Sequence, residues 1–290
     1  MPELVWPTEV AGRVSAEGAA RSGLPEGLPV AAGTMDSFAD AMSVGVRKPG
    51  DAVIIYGSTM SIVLVTDESL PAAQLWSNAH LFENTYNLAS GMATSGSLTK
   101  WLRDLIGPGT SFGELSAEAA AIAPGSDGLV ILPYFAGERT PLLDPNARGT
   151  IVGLTLGHGR GHLYRALMEG TAYGARHLLD VMHHAGAGTT RAYAVGGGTK
   201  GGLWPQIISD ITGLTQEITE QSIGACYGDA MLAGVATGTI EPDADWSPTI
   251  GIVEPNRHNK AIYDELYELY RHLHPQTVDI QHKLAEIQLG

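Results

Sequence analysis

Cysteine is almost absent. Cys226 stands alone among 290 residues, so no disulfide can form within the chain, which fits a reducing compartment. Positive charge is scarce too. The 17 Lys and Arg are outnumbered by 31 Asp and Glu, giving a formal net charge of −14. No Lys/Arg cluster offsets this balance, so nucleic acid and anionic membrane surfaces are excluded as expected partners. A phosphorylated ligand is not excluded, because backbone N–H groups at helix starts can hold phosphate without a basic patch. No apolar run approaches the ~18 residues of a membrane span. The opening MPELVWPTEV carries neither the basic nor the apolar region of a secretory leader. A cytoplasmic location is expected. His183-His184 and His272-x-His274 have no carboxylate or cysteine companions at metal-ligand spacing, so they are read as surface histidines and no metal site is expected.

Apolar residues and glycine are plentiful. The chain is 44% hydrophobic, enough for a large core, and its 37 glycines call for many turns and close backbone approaches. Residues Met1 to Arg13 read as irregular. Ser15 to Ser22 reads as a short helix capped by Ser15 and ended by Gly23. Pro29 to Gly33 is a short strand, followed by a helix from Ser37 to Val44. The β-branched runs DAVIIYGS (51–58) and MSIVLVT (60–66), joined by Gly57-Ser58-Thr59, predict an antiparallel hairpin. A third strand is expected between Leu75 and Tyr86. Helices are expected over Gly91 to Ile106 and Ser116 to Ala123, and a doubly buried strand over Leu129 to Phe135.

The stretch Gly149 to Gly170, GTIVGLTLGHGRGHLYRALMEG, opens with a glycine turn and a short apolar run. It leads into a helix from about His162 to Ala185 with one apolar stripe. A strand at Arg191–Val195, helices at Trp204–Thr212 and Gly224–Thr237, a strand at Thr215–Ile218 and an amphipathic tail helix beyond Asn256 complete the chain. The fold class predicted is α/β: an actin-like ATPase (ribonuclease H-like) domain, a mixed sheet with helices on both faces.

Several groups suggest chemistry. Asp36, at a strand-to-helix junction, is either a helix N-cap or a base able to accept a hydroxyl proton. Gly57-Ser58-Thr59 is either a plain hairpin turn or a phosphate cradle. Gly196-Gly197-Gly198 follows a strand and precedes a helix, where α/β folds bind nucleotides, yet it is neither GxGxxG nor a P-loop. Glu138-Arg139 is an internal salt bridge or a substrate clamp. Trp101, Trp204 and Trp246 read as packing residues.

Gly149-x-Ile151-x-Gly153-Leu154 followed by His162-Leu163-x-x-Ala166-Leu167-Met168-Glu169-Gly170 resembles the C-terminal signature of the FGGY carbohydrate kinases. Other segments carry the same resemblance: Pro29 to Asp36, Gly45 to Asp51, Tyr56 to Thr59, Gly137 to Pro141, Gly196 to Lys200 with Trp204, and Gly224 to Ala233. It spans roughly Glu9 to Gly238 and covers only the second half of such a kinase. It implies residues 1–48 as the end of an N-terminal, sugar-binding domain and residues 49–290 as the C-terminal ATP-binding domain. The missing N-terminal kinase domain is then the implied partner, with a homodimer through the exposed face near residues 1–50 as the alternative.

The resemblance also implies ATP and Mg2+, and a sugar or polyol as acceptor, with xylulose or a related pentulose first. Asp36 matches the general base. Gly57, Ser58 and Thr59 match the β/γ-phosphate turn, and Gly96 and Lys100 match groups near the nucleotide. Gly197 and Gly198 match the adenosine loop. Gly202 aligns where an asparagine often reaches adenine, a contact glycine cannot make. Tyr227-Gly228-Asp229 departs from the usual alanine-rich closing helix. The second reading is a non-catalytic relic that binds nucleotide or a partner.

Overall fold

The structure, a computed structural model, describes residues 4–107, 109–220 and 224–289. Near its start, β1 (Val10–Arg13) pairs antiparallel with β2 (Pro29–Ala31). Between them lies α1 (Ala16–Ser22), where the Ser15 hydroxyl accepts the Gly18 N–H at 3.1 Å and Gly23 ends the helix at φ 76°. The expectation of irregular chain up to Arg13 is therefore corrected. All four β1 residues are exposed, so pairing alone makes this strand and no apolar alternation announces it. α2 (Asp36–Ser43) follows and buries Phe38, Ala39, Ala41 and Met42.

The predicted hairpin is present as β3 (Asp51–Tyr56) and β4 (Met60–Thr66), with Tyr56 opposite Met60. Two further strands follow, β5 (Trp76–Ala79) and β6 (Tyr86–Met92). The strand beside the hairpin is β6, not the 75–86 segment, which supplies the edge. Asn87, Ser90 and Gly91 interrupt the apolar pattern of β6 and hide it in the sequence. The ladder runs on to Met92 opposite Met60, so α3 (Gly96–Ile106) starts five residues later than expected. α4 (Phe112–Ala120) starts earlier than expected, because Ser111 and Glu114 form a reciprocal capping box. β7 (Val130–Leu132) is fully buried, yet it pairs with β8 (Thr150–Val152) in a separate two-stranded sheet.

The second half alternates. α5 (Arg160–His184) leads to β9 (Arg191–Val195), α6 (Leu203–Thr212), β10 (Gln216–Thr219), α7 (Ala225–Ala236) and β11 (Thr249–Val253). β11 is a further strand the sequence reading did not anticipate, at the sheet edge. The chain ends in α8 (Lys260–Leu289), which continues through Pro275.

The main sheet has seven strands in the order β11-β10-β9-β3-β4-β6-β5. β9 runs parallel to both β3 and β10, and the other pairings are antiparallel. Strand alternation divides its side chains between two cores. Ala52, Ile54 and Tyr56 join a cluster with residues of α5, α6 and α8, such as Leu167, Ile208 and Tyr263. Val53 and Tyr193 join the other, with Phe38 and Met42 of α2 and Met231 and Leu232 of α7. The mixed sheet with helices on both faces is as predicted.

Candidate functional site

Because β3 and β9 are parallel neighbours, their carboxyl ends lie side by side. In α/β sheets this is where ligands bind. Gly57-Ser58 follows β3, and Gly196-Gly197-Gly198 follows β9. The two turns touch: Gly196 has φ 100°, and a Cβ there would stand 2.6 Å from the Tyr56 carbonyl oxygen. The first turn of α3 is laid over the hairpin turn as well. Gly96 N–H donates to Gly57 O at 3.0 Å, while Ser95 and Ser97 N–H donate to Ser58 O at 3.0 and 3.1 Å. A Cβ on residue 96 would stand 2.6 Å from Gly57 O, so this contact requires glycine.

These turns border a cavity of about 610 Å³. Gly57, Ser58, Gly96, Lys100, Gly197 and Gly198 all line it. Thr59 and Gly202 are not on its lining. Thr59 closes the hairpin turn, its carbonyl accepting the Gly57 N–H at 3.0 Å, and Gly202 occupies the N-cap position of α6. No site role is assigned from sequence to the remaining walls, though Met168 and Trp204 stand in segments that carry the resemblance. Tyr164 and Met168 come from α5, Phe112 and Ser116 from α4, and Trp204 from α6. From sequence Trp204 reads as a packing residue and as part of the segment that resembles the adenosine loop. It is buried, its indole N–H donates to the Thr171 hydroxyl at 3.1 Å, and it also faces the cavity. The site therefore combines apolar and aromatic walls, two flexible cations (Lys100 and Lys200) and glycine backbone, a set suited to a nucleotide. Lys100 is paired with Asp104.

Asp36 lies outside this cavity. The N-cap position belongs to Met35, so Asp36 is the first helical residue of α2 rather than its cap. It is exposed, and one of its carboxylate oxygens accepts the Ser37 N–H at 2.7 Å. Glu138 is buried and forms no ion pair among the described residues. It is 5% exposed, and its Oε1 accepts the N–H groups of Ala93 and Arg139, each at 2.7 Å. Burial pushes its carboxyl up to about 7, with those backbone bonds opposing. Together with Thr140, which bonds the N–H of Gly91 at 2.8 Å, it pins the 137–144 loop to the segment leading into α3.

The 149–170 stretch plays a different part. Arg165 and Glu169, one turn apart on α5, form a buried pair at 2.7 Å. Glu169 also accepts from Gly125 N–H at 3.0 Å, the Ser126 hydroxyl at 2.7 Å and the Tyr263 hydroxyl at 3.0 Å. The helix is thereby tied to the turn before β7 and to α8, away from the cavity.

The sequence profile of the FGGY family of carbohydrate kinases, C-terminal domain, matches residues 52–237. The chain belongs to this family. Its FGGY relatives include the xylulose kinase of Lactococcus lactis subsp. lactis (strain IL1403), 31% identical over 99% of this chain and 58% of that protein. The ribulokinase of Anoxybacillus flavithermus (strain DSM 21510 / WK1) is also 31% identical, over 91% of this chain and 51% of its own length. Among solved structures, the xylulose kinase from Rhodospirillum rubrum superimposes with a TM-score of 0.89 at 33% identity, covering 97% of this chain and 58% of that one. The actin-like fold of the FGGY kinases is thus present. The chain spans between half and three fifths of the length of these relatives and corresponds to their C-terminal half. No helix among the described residues is long and apolar enough to cross a membrane.

Proposed function

We propose that this chain is the nucleotide-binding half of a kinase that moves the γ-phosphate of ATP to a hydroxyl of a pentulose, in the xylulose and ribulose class, or of a related polyol. The observation that carries this reading is the meeting of two glycine turns, at the ends of adjacent parallel strands, on one cavity. Gly57 and Ser58 hold the β/γ-phosphates, with Thr59 shaping their turn. Gly96 seats α3 on that turn, and Lys100 turns from Asp104 to the phosphates. Gly197 and Gly198 let adenosine lie against backbone beside Trp204, and Gly202 supports that loop as the cap of α6. Nothing stands within 4 Å of where a Cβ on Gly197 would be, which leaves room for such an approach.

Asp36 serves the acceptor. It takes the proton as the sugar oxygen bonds to phosphorus and the bond to the β-phosphate oxygen breaks, releasing ADP. The described residues hold no group of three or more His, Cys, Asp or Glu able to bind a metal ion. Mg2+ bound together with the nucleotide would supply charge neutralisation there.

In this reading residues 1–48 continue from an N-terminal sugar-binding domain, and 49–290 form the ATP-binding domain. The exposed Val10, Leu24, Leu28, Val30 and Met35 mark the face where the N-terminal domain docks. Two assays test it. Calorimetry with ADP on the 290-residue chain should give weak but saturable binding, and no binding refutes the nucleotide assignment. Transfer from ATP to a panel of pentuloses and polyols should need the N-terminal domain and be lost in Asp36→Asn. Robust turnover by the chain alone, or an active Asp36→Asn enzyme, refutes the division of labour. A relic would bind ADP or a partner and transfer nothing in either form.

A further inference from the structure

The helix that begins with Asp36 is held by a second aspartate. α2 and α7 lie so close that a Cβ on Gly228 would stand 1.8 Å from the Ala39 carbonyl oxygen. One residue along α2, Asp40 reaches the start of α7. Its carboxylate accepts the N–H of Ala225, the first residue of that helix. A Cβ on Gly224 would come within 2.8 Å of the same carboxylate. Gly224 is the N-cap of α7 and has no side chain to offer, so a carboxylate from another helix satisfies the exposed N–H. Asp36 and Asp40 are four residues apart and therefore share a face of α2. The charged groups acting on Asp40 are Asp36, from its own helix, and Asp229, from α7.

We propose that Asp40 is a positioning residue for Asp36: it anchors the helix that begins with the base to the start of α7. The proposal rests on the kinase reading above, in which Asp36 takes the acceptor's proton. It gives Tyr227-Gly228-Asp229 a purpose. Gly228 admits the α2 backbone, and Tyr227 fixes α7 by donating its hydroxyl proton to the Trp246 carbonyl at 2.9 Å. Burial and then the charge of Asp36 push the Asp40 carboxyl up, against the pull of the Ala225 N–H.

The test uses the 290-residue chain with Asp40→Asn and Asp40→Ala, read by amide hydrogen exchange at Ala225 and at Ser37. Asparagine retains an oxygen for the Ala225 N–H but removes the charge, whereas alanine removes both. In Asp40→Asn the Ala225 amide, and the Ser37 amide that donates to the Asp36 carboxylate at 2.7 Å, should stay protected. In Asp40→Ala the Ala225 amide should exchange about tenfold faster or more, and the Ser37 amide faster as well. Loss of protection in Asp40→Asn, or an unchanged exchange rate at either amide in Asp40→Ala, overturns the proposal. Neither readout depends on turnover, so failure of the kinase reading would show separately, as activity surviving in Asp36→Asn.

Discussion

Replacing Glu169 with alanine should be among the most damaging single changes in this chain. The side chains of Arg165 and Glu169 are 6% and 2% exposed, so neither charge can turn to water when its partner is removed. Glu169 receives four hydrogen bonds, from Arg165, Gly125, Ser126 and Tyr263. In Glu169→Ala the guanidinium keeps only the Tyr263 hydroxyl at 2.9 Å and the Ala119 carbonyl at 3.3 Å, neither of which carries a charge. Breaking a buried pair in this way typically costs about 3–5 kcal/mol. Glu169→Gln keeps the shape and an acceptor oxygen, so it should lose only the charge-assisted share, about 1.5–3 kcal/mol. Urea unfolding followed by both circular dichroism and tryptophan fluorescence measures the two losses and checks that the transitions coincide. The expected order is wild type, then glutamine, then alanine. An alanine variant within about 1 kcal/mol of wild type would refute the reasoning, since water or a local shift would then be solvating the guanidinium.

Glu138 gives a pH signature. Its carboxyl titrates near 7 in the fold against roughly 4.3 unfolded. The folded chain therefore binds the extra proton between those values. Its contribution is fully present below about 4.3 and is lost as pH rises to 7, a loss on the order of 3 kcal/mol. Unfolding midpoints at pH 5 and pH 8 should differ less in Glu138→Gln than in wild type by that amount, and equal slopes would count against the burial argument. Gly96→Ala places a methyl 2.6 Å from the Gly57 carbonyl and must shift the turn or α3. ADP affinity by calorimetry should drop about tenfold for ~1.4 kcal/mol of displacement, with the global fold retained. Gly228→Ala drives a methyl into the Ala39 carbonyl and should destabilise by at least about 2 kcal/mol in thermal unfolding, whatever its effect on nucleotide binding.

The parts of this fold that were legible in the sequence are those with uninterrupted patterns. β3, β4, β9 and α5 were each visible because one apolar period runs their whole length. β1 and β11 were not, since they are edge strands whose residues are mostly exposed, and only pairing defines them. β6 was hidden by asparagine, serine and glycine in a strand that is nonetheless almost wholly buried, and α4 by reading Ser116 as its start when Ser111 caps it. The glycine positions of the candidate site came from the resemblance. Tyr164 and Phe112 did not, and Met168 and Trp204 stood in resembling segments without a site role, because an aromatic or apolar side chain on a helix reads as core whether it faces the interior or a ligand. Asp40 was equally silent, as its partner is a backbone N–H far along the chain.

The Arg165–Glu169 pair changes what the stretch from Gly149 to Gly170 can be used to diagnose. It fastens α5 to α8 and to the turn before β7, and it touches neither glycine turn. A sequence search keyed to that stretch selects chiefly for a correctly assembled scaffold and reads the cavity only through Tyr164 and Met168. A homologue with Asp36 exchanged, or with the turns at 57 and 197 rebuilt, would pass it unchanged. On the function proposed above, sorting working phosphotransferases from their silent cousins calls for a different key, one built on Asp36, Gly57 and Gly96.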